Sequence, residues 1–421
     1  MNEHQVPQRD KCTVRHIAWR EVFPWLILLR VFRVAIAPGP LMLATGALAI
    51  SSLGWWCCGA LLTNEEFHGV PPALAPLNIP EAAASYLPAG ASDVLLPVQG
   101  LVSPVRQLFR DQISFRHVVY YLLGFLISTI VWSFVGGVIT RLALVELGTE
   151  QSYDWVDAVR YVIRRYIQYL MAPLAPLLAI AGLGLLVVPL GWLMNIDLGV
   201  LIAGILWIFV IGLGLIAAWL IVGLLFGWPL MIAAVGAKRD GDALQAFSEA
   251  FSYVYGKPLH YFFYAIIALG LGGLALAAVH LFADVAIQFG FWAASWGAGA
   301  DDIRSLREQL NAIELHQQPA KTTIAGTGAW LISLVLALVK IVVQAAAYSY
   351  FFVAAAGIFL LMRKAVDDKE MDEVHMEDED VHLETARRAM LSDEVATAGS
   401  PESAPTSSPP NSPSRDEDVA E

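Results

Sequence analysis

The chain has 421 residues, of which 57% are hydrophobic and only 15% charged, with a formal net charge of −12. A soluble domain of average composition carries roughly 25% charged residues, so the composition excludes an ordinary water-solvated globular protein. The acidity is local: from Ala365 to Glu421 there are 17 Asp/Glu against 4 Lys/Arg, and the rest is close to neutral, which argues against nucleic acid as a partner.

The N-terminal region, residues 1–38, has no cleavable leader pattern. The run Ile17 to Ile36 is apolar but interrupted by Arg20, Arg30 and Arg33, and Pro24 interrupts it again. Arginines at mid-depth in lipid are costly. The run therefore reads as an in-plane helix at the cytoplasmic surface with its arginines snorkelling to phosphates, and a seventh crossing is the rival reading.

A helix needs about 20 apolar residues to cross a hydrocarbon core of about 30 Å. Six stretches qualify: 39–62, 118–140, 170–193, 199–227, 259–288 and 331–362. Together, residues 39–362 form the membrane domain and 363–421 a tail. Arginine and lysine fall mostly on alternate loops, which places both termini on the cytoplasmic side of a cell inner membrane. Trp55, Trp56, Trp292 and Trp296 then fall near the outer interface. Cys57 and Cys58 lie inside the first span, and with Cys12 they form no disulfide or zinc pattern.

Residues 63–117 form a long outer loop rich in proline. Its end reads as an interfacial helix starting at Ser103 and Pro104, with Val105, Leu108, Phe109 and Ile113 on one face. The tail is acidic and then rich in proline and serine. A helix continues out of the last span over Asp368 to Leu391 in this reading, and the remainder is disordered.

Shifting the chain by 92 residues lays one segment on another. Asp157-Ala158-Val159-Arg160-Tyr161-Val162 falls on Glu249-Ala250-Phe251-Ser252-Tyr253-Val254, and Tyr169 falls on Tyr261. Each linker reads as an amphipathic helix lying on the cytoplasmic face between two spans. The duplication is parallel, unlike the inverted repeats of many secondary transporters. The pattern Arg141 to Ala143, followed by a polar turn and Asp157 to Tyr161, resembles a group of bacterial six-pass integral membrane proteins over residues 118–260. The second copy departs from it, with Ala233 at the place of Arg141. The resemblance implies a fold and no activity.

Three groups of polar residues are site candidates. His280, Asp284 and Gln288 form a stripe at i, i+4 and i+8, and Lys340, Gln344 and Tyr348 repeat the spacing on the last span. Ionisable groups within spans suggest a proton or ion path, with Asp284 paired to Lys340. Lys340 lies 23 residues before Arg363, and His280 lies 23 after Lys257. At 1.5 Å per residue both sit near the outer edge, which favours a stalk capped by a helix from Asp301 to Leu315. Arg141 and Glu146, just past the second span, read as a cytoplasmic-edge salt bridge, a lipid headgroup contact or plain interfacial anchors. Gly223 and Gly227 form a G-x-x-x-G for close helix packing.

No Walker A, H-E-x-x-H or G-x-S-x-G pattern is present, and no cofactor or metal is called for. The fold expected is an all-α polytopic membrane bundle of about six transmembrane helices with in-plane amphipathic helices and a disordered acidic tail. The partners expected are the lipid bilayer and a cytoplasmic protein bound through that tail. A non-enzymatic scaffold or membrane-organising role is the first functional reading. A transporter or channel for a small or lipid-like solute, built from the two repeats, is the second.

Overall fold

The computed structural model describes residues 23–62, 91–108, 114–238, 241–314, 324–371 and 373. The chain divides into Met1–Val374 and His375–Glu421, and the second unit lies outside the described residues. Cys12, the start of the expected in-plane helix, Phe109, Ile113 and the tail beyond Glu373 also lie outside them.

Every regular element among the described residues is helical. A 3-10 turn, Pro24–Ile27, leads into α1 (Leu28–Ala35) and α2 (Pro38–Leu62). Then come α3 (Ala91–Val94), α4 (Leu96–Leu108), α5 (Phe115–Gly148), α6 (Trp155–Arg164) and α7 (Tyr166–Leu193). The chain continues as α8 (Asp197–Ala237), α9 (Ala243–Gly256), α10 (Pro258–Ala298), α11 (Ala300–Glu314) and α12 (Ile324–Asp367). Six of these, α2, α5, α7, α8, α10 and α12, are long and apolar enough to cross a membrane. In lipid the backbone must satisfy its own hydrogen bonds, and a helix does so without partners.

Each expected span lies within one of these helices, give or take a residue, and most helices run further. The excess has a purpose at the arginine-rich end, called here the basic end. There, residues 135–145 of α5, 227–237 of α8 and 352–363 of α12 are buried without exception. The opposite half is open to lipid: Ile205, Ile208, Phe209 and Leu215 of α8 are about two-thirds exposed. A protein core thus closes the basic half of the bundle, and lipid solvates much of the other half.

α1 is packed into that core. Leu28, Val31, Val34 and Ala35 share its buried face, and a methyl group on Gly357 of α12 would meet Leu28 at 3.3 Å and Val31 at 3.4 Å. The Ser349 hydroxyl donates to the Ala35 carbonyl at 2.7 Å. The amphipathic face expected to lie on lipid instead contacts protein, and Arg30 reaches Glu150 at 2.8 Å.

The helix expected from Ser103 begins earlier, at Leu96. Pro97 takes the first-turn place, where the missing N–H costs nothing, and Pro104 sits inside the helix. α4 also turns inward, where Pro97, Gly100 and Leu101 line a cavity with Ser128 and Trp132 of α5 and Trp228 of α8. Trp55 departs from the aromatic belt as well. It is 1% exposed, donates its Nε1–H to Ser128 Oγ at 2.9 Å and packs edge-on against Tyr120. Trp56, Trp292 and Trp296 remain exposed. At the far end α12 stops at Asp367, because Asp368 turns into the left-handed region at φ 54°, a conformation that Asp tolerates better than most residues.

The 92-residue correspondence recurs in the element bounds. α6 and α9 end at Arg164 and Gly256, and α7 and α10 begin at Tyr166 and Pro258, both pairs 92 residues apart. Equivalent side chains are equally hidden: Ala158 and Ala250 at 0%, Tyr161 at 0% and Tyr253 at 1%, Tyr169 at 0% and Tyr261 at 7%. Gly223 and Gly227 serve this layout, since a methyl group on Gly223 would meet the Phe251 ring at 2.3 Å. Their small faces receive α9 of the same chain.

Candidate functional site at the basic end

Arg141 is the most enclosed charge in the described chain, with 0% of its surface exposed. It lies on the last turns of α5. Its Nη1 donates to the Gly236 carbonyl at 2.8 Å, which ties α5 to the end of α8. Its guanidinium lies 4.3 Å from the Tyr161 ring centroid and 5.5 Å from that of Tyr153. Arg165 approaches the Tyr161 ring at 4.1 Å. A guanidinium over an aromatic face gains from the ring quadrupole, the more so when water is excluded. The Tyr161 hydroxyl donates to the Lys238 carbonyl at 2.7 Å. Arg141 is therefore no interfacial anchor; it sits inside a protein knot.

Among the described residues Arg141 and Glu146 form no ion pair with each other, which removes the salt-bridge reading. Five residues on a helix turn through about 140° beyond a full circle, so the two side chains leave α5 on different faces. Glu146 instead lines a polar crevice with Arg30, Arg33, Glu150, Gln151 and Ser152.

The second repeat builds its own network. Lys238 pairs with Glu249 of α9. The Tyr253 hydroxyl lies between Glu249 Oε1 at 2.7 Å and Asp367 Oδ2 at 2.5 Å. Lys257 Nζ donates to the Ala365 carbonyl. Burial first, then the hydrogen bonds to the two carboxylates, hold the Tyr253 hydroxyl well above the usual tyrosine range. Burial also raises Tyr255.

The outer stripe has a different use. His280 Nε2 meets Asp93 Oδ2 of α3 at 2.8 Å. Arg307 of α11 donates to Gln288 Oε1 at 2.9 Å and lies over Phe291 at 4.6 Å. Two members of the stripe thus hold the segments arriving from the connecting loops. Asp284 and Lys340 are exposed and form no ion pair with each other among the described residues. The helix expected from Asp301 to Leu315 is α11.

Inside the bundle a cavity of about 50 Å³ lies between α4, α5, α7, α8 and α12. A dry cavity of about 150 Å³ holds one benzene, so this one is too small for a solute. Two of its hydroxyls are engaged: Thr129 donates to the Phe125 carbonyl, and Ser128 accepts from Trp55. Two larger apolar grooves, about 420 and 770 Å³, lie on the flanks. Among the described residues no cluster of His, Cys, Asp or Glu has the makings of a metal site.

Sequence reasoning singled out Arg141, Glu146, His280, Asp284 and Lys340 as candidates, and Tyr161 and Tyr253 only as members of the linker repeat. It missed Asp93, Arg165, Lys238, Glu249 and Asp367 as partners, because pairing across elements leaves no local spacing to read. These helices and their packing define a polytopic membrane protein of six candidate spans. No family model matches the chain, and neither a curated protein nor a solved structure shows significant similarity to it.

Proposed function

We propose that the chain is a non-enzymatic membrane-organising component of a bacterial inner membrane, with both termini cytoplasmic and the acidic tail recruiting a cytoplasmic protein. The closed basic half supports this reading most directly. Residues 135–145, 227–237 and 352–363 are wholly buried, and a passage for a hydrated solute would need to cross that layer. The alternate-loop distribution of arginine and lysine supports the orientation.

The test compares the full chain with a chain ending at Val374. That end point keeps Arg363 donating to the Glu373 carbonyl and Asp367 against Tyr253. Reconstituted full chain should pass no protons or potassium above protein-free vesicles. In cells, the tail fused to an unrelated single-span anchor should crosslink to the same protein as the full chain, and the chain ending at Val374 should not. Ion flux that scales with protein, or a partner retained without the tail, overturns the proposal.

A carrier for a lipid-like solute is the second reading. The two apolar flank grooves favour it. It requires that labelled phospholipid become accessible to an external quencher across reconstituted vesicles faster than across empty ones.

A further inference from the structure

The polar crevice and the larger flank groove meet the same two joints of the chain. Arg30, Arg33 and Val34 of α1 line the crevice, and Pro38, Gly39 and Met42 of α2 line the groove. Glu146, Glu150 and Ser152 lie on the crevice side of the α5–α6 joint, and Trp155 on the groove side. At Gly39 an added methyl group would lie 3.8 Å from Trp155 Cβ, so the two joints lie close together. The crevice measures about 200 Å³ and the groove about 770 Å³.

The crevice carries both signs of charge. Arg30 and Glu150 neutralise each other at 2.8 Å. Arg33 and Glu146 line the same space; Arg33 and Arg30 are near enough to act on the Glu146 carboxylate, yet among the described residues neither Arg33 nor Glu146 closes an ion pair. One cation and one anion are thus presented to whatever enters. The groove is almost wholly apolar, running from Pro38 to Ile50 on α2 and from Ile130 to Val135 on α5. The twelve steps from Pro38 to Ile50 rise about 18 Å, close to the depth of one leaflet, about half of a 30 Å core. Trp155 and Tyr166 stand in its wall, and such amphipathic rings favour the headgroup level.

We infer that this is a binding site for one glycerophospholipid with a phosphoethanolamine headgroup, its phosphate on Arg33, its ammonium on Glu146 and an acyl chain in the groove between α2 and α5. The mixed charge selects the headgroup. A purely anionic headgroup meets Glu146 without a cation of its own to offer it. A trimethylammonium group has no N–H to donate to Glu146, whereas a primary ammonium has three donors. The site goes beyond the role proposed above and does not depend on it.

The test uses purified full chain in detergent, with lipid binding read by native mass spectrometry. The probes are phosphatidylethanolamine, phosphatidylcholine and phosphatidylglycerol of identical acyl chains, together with soluble O-phosphoethanolamine. A charge-assisted hydrogen bond is taken to change affinity about ten-fold, so phosphatidylethanolamine should bind about ten-fold tighter than the other two. Glu146→Gln should erase its advantage over phosphatidylcholine. Arg33→Gln should weaken all three lipids. Gly46 lines the groove with nothing within 4 Å of an added methyl group, so Gly46→Leu should fill the groove and weaken all three without disturbing the fold. Equal binding of the three lipids by the unaltered chain overturns the proposal. So does O-phosphoethanolamine binding as tightly as the lipid with Gly46→Leu silent, which marks a site for a soluble phosphoamine. Should a charge variant fail to fold, the three-lipid comparison and Gly46→Leu still decide.

Discussion

Tyr161 and Tyr253 hold the same post in the two repeats. They stand 92 residues apart, at 0% and 1% exposure, and each hydroxyl reaches the basic end of the span that follows its own hairpin. Tyr161 donates to the Lys238 carbonyl at the end of α8. Tyr253 meets Asp367 at the end of α12. Each repeat therefore passes its register to the next span through one phenol. The two posts are linked, because the Lys238 side chain also pairs with Glu249, and Glu249 accepts from Tyr253.

That linkage predicts non-additive mutants. Tyr161→Phe should cost about 1 kcal/mol, the net worth of a neutral hydrogen bond, and Tyr253→Phe about 2 kcal/mol, because its acceptors are carboxylates. Groups in one network couple by about 0.5 kcal/mol or more. Equilibrium unfolding in mixed detergent–SDS micelles should show the double variant departing from the sum. Strict additivity would mean that the Lys238–Glu249 pair transmits nothing.

Tyr253 also predicts an alkaline limit. Its folded hydroxyl is held above the usual range by burial and by Asp367 and Glu249, while an unfolded tyrosine ionises near about 10. The folded state binds this proton more tightly. Its contribution is complete below that unfolded value and is lost as pH rises past it. Unfolding free energy should fall more steeply above about pH 10 in the unaltered protein than in Tyr253→Phe. Parallel pH profiles would remove Tyr253 as the cause.

The spans were legible because a 20-residue apolar run in a chain this poor in charge has few other readings. The linker helices were legible from their one-sided apolar faces, and the duplication from the recurrence of Asp157 to Val162 in Glu249 to Val254. The inward course of α4 was not. Leu96, Pro97 and Leu101 look like any proline-rich loop until Trp132 and Trp228 are seen across from them. Nor was the fate of Arg141. An arginine just past a span has the same local sequence whether it faces phosphate or tyrosine rings; only the 95-residue separation to Gly236 decides. Asp93 carried no signal beyond being an acid in a loop.

Close approach by glycine predicts a sharp contrast between packed and open helix faces. A methyl group on Gly136 would meet the Phe352 ring at 2.5 Å, and one on Gly272 would meet Tyr350 at 2.3 Å, whereas Gly212 has nothing within 4 Å. Gly136→Ala and Gly272→Ala should each destabilise by about 1–3 kcal/mol through overpacking. Gly212→Ala should be neutral or gain up to about 1 kcal/mol from helix propensity. Thermal unfolding in detergent separates the cases. Equal effects at all three positions would deny that Gly136 and Gly272 mark close helix contacts.

The Asp93–His280 contact predicts a local release. α3 meets α10 through this pair and through Val94, which lies within 2.8 Å of a methyl group placed on Gly272. Asp93→Asn keeps the shape and removes the charge. Amide exchange should rise across 91–108 and stay unchanged in 135–145, because opening of one cooperative unit need not disturb another. Unchanged exchange in 91–108 would show that packing alone seats α3 and α4.

Arg141 predicts a cost that depends on shape more than on charge. Its planar group donates to Gly236 while lying over Tyr161, two demands that a lysine ammonium does not meet together. The equivalent position in the second repeat is Ala233, buried at 0%, so a span–linker–span unit of this kind folds without a charge there. What Arg141 adds is the joint between α5 and α8. Arg141→Ala removes that joint and leaves a cavity, and should cost about 3 kcal/mol. Arg141→Lys keeps the charge but should still cost about 1–2 kcal/mol through the lost stacking and fork geometry. Arg141→Met, apolar and of similar length, should recover most of the loss, since replacing a buried charge by a well-packed apolar side chain is often neutral. Detergent–SDS unfolding orders the three variants. If lysine matches the unaltered protein and methionine is the worst of them, the charge itself is what the knot requires, and the packing account of Arg141 fails.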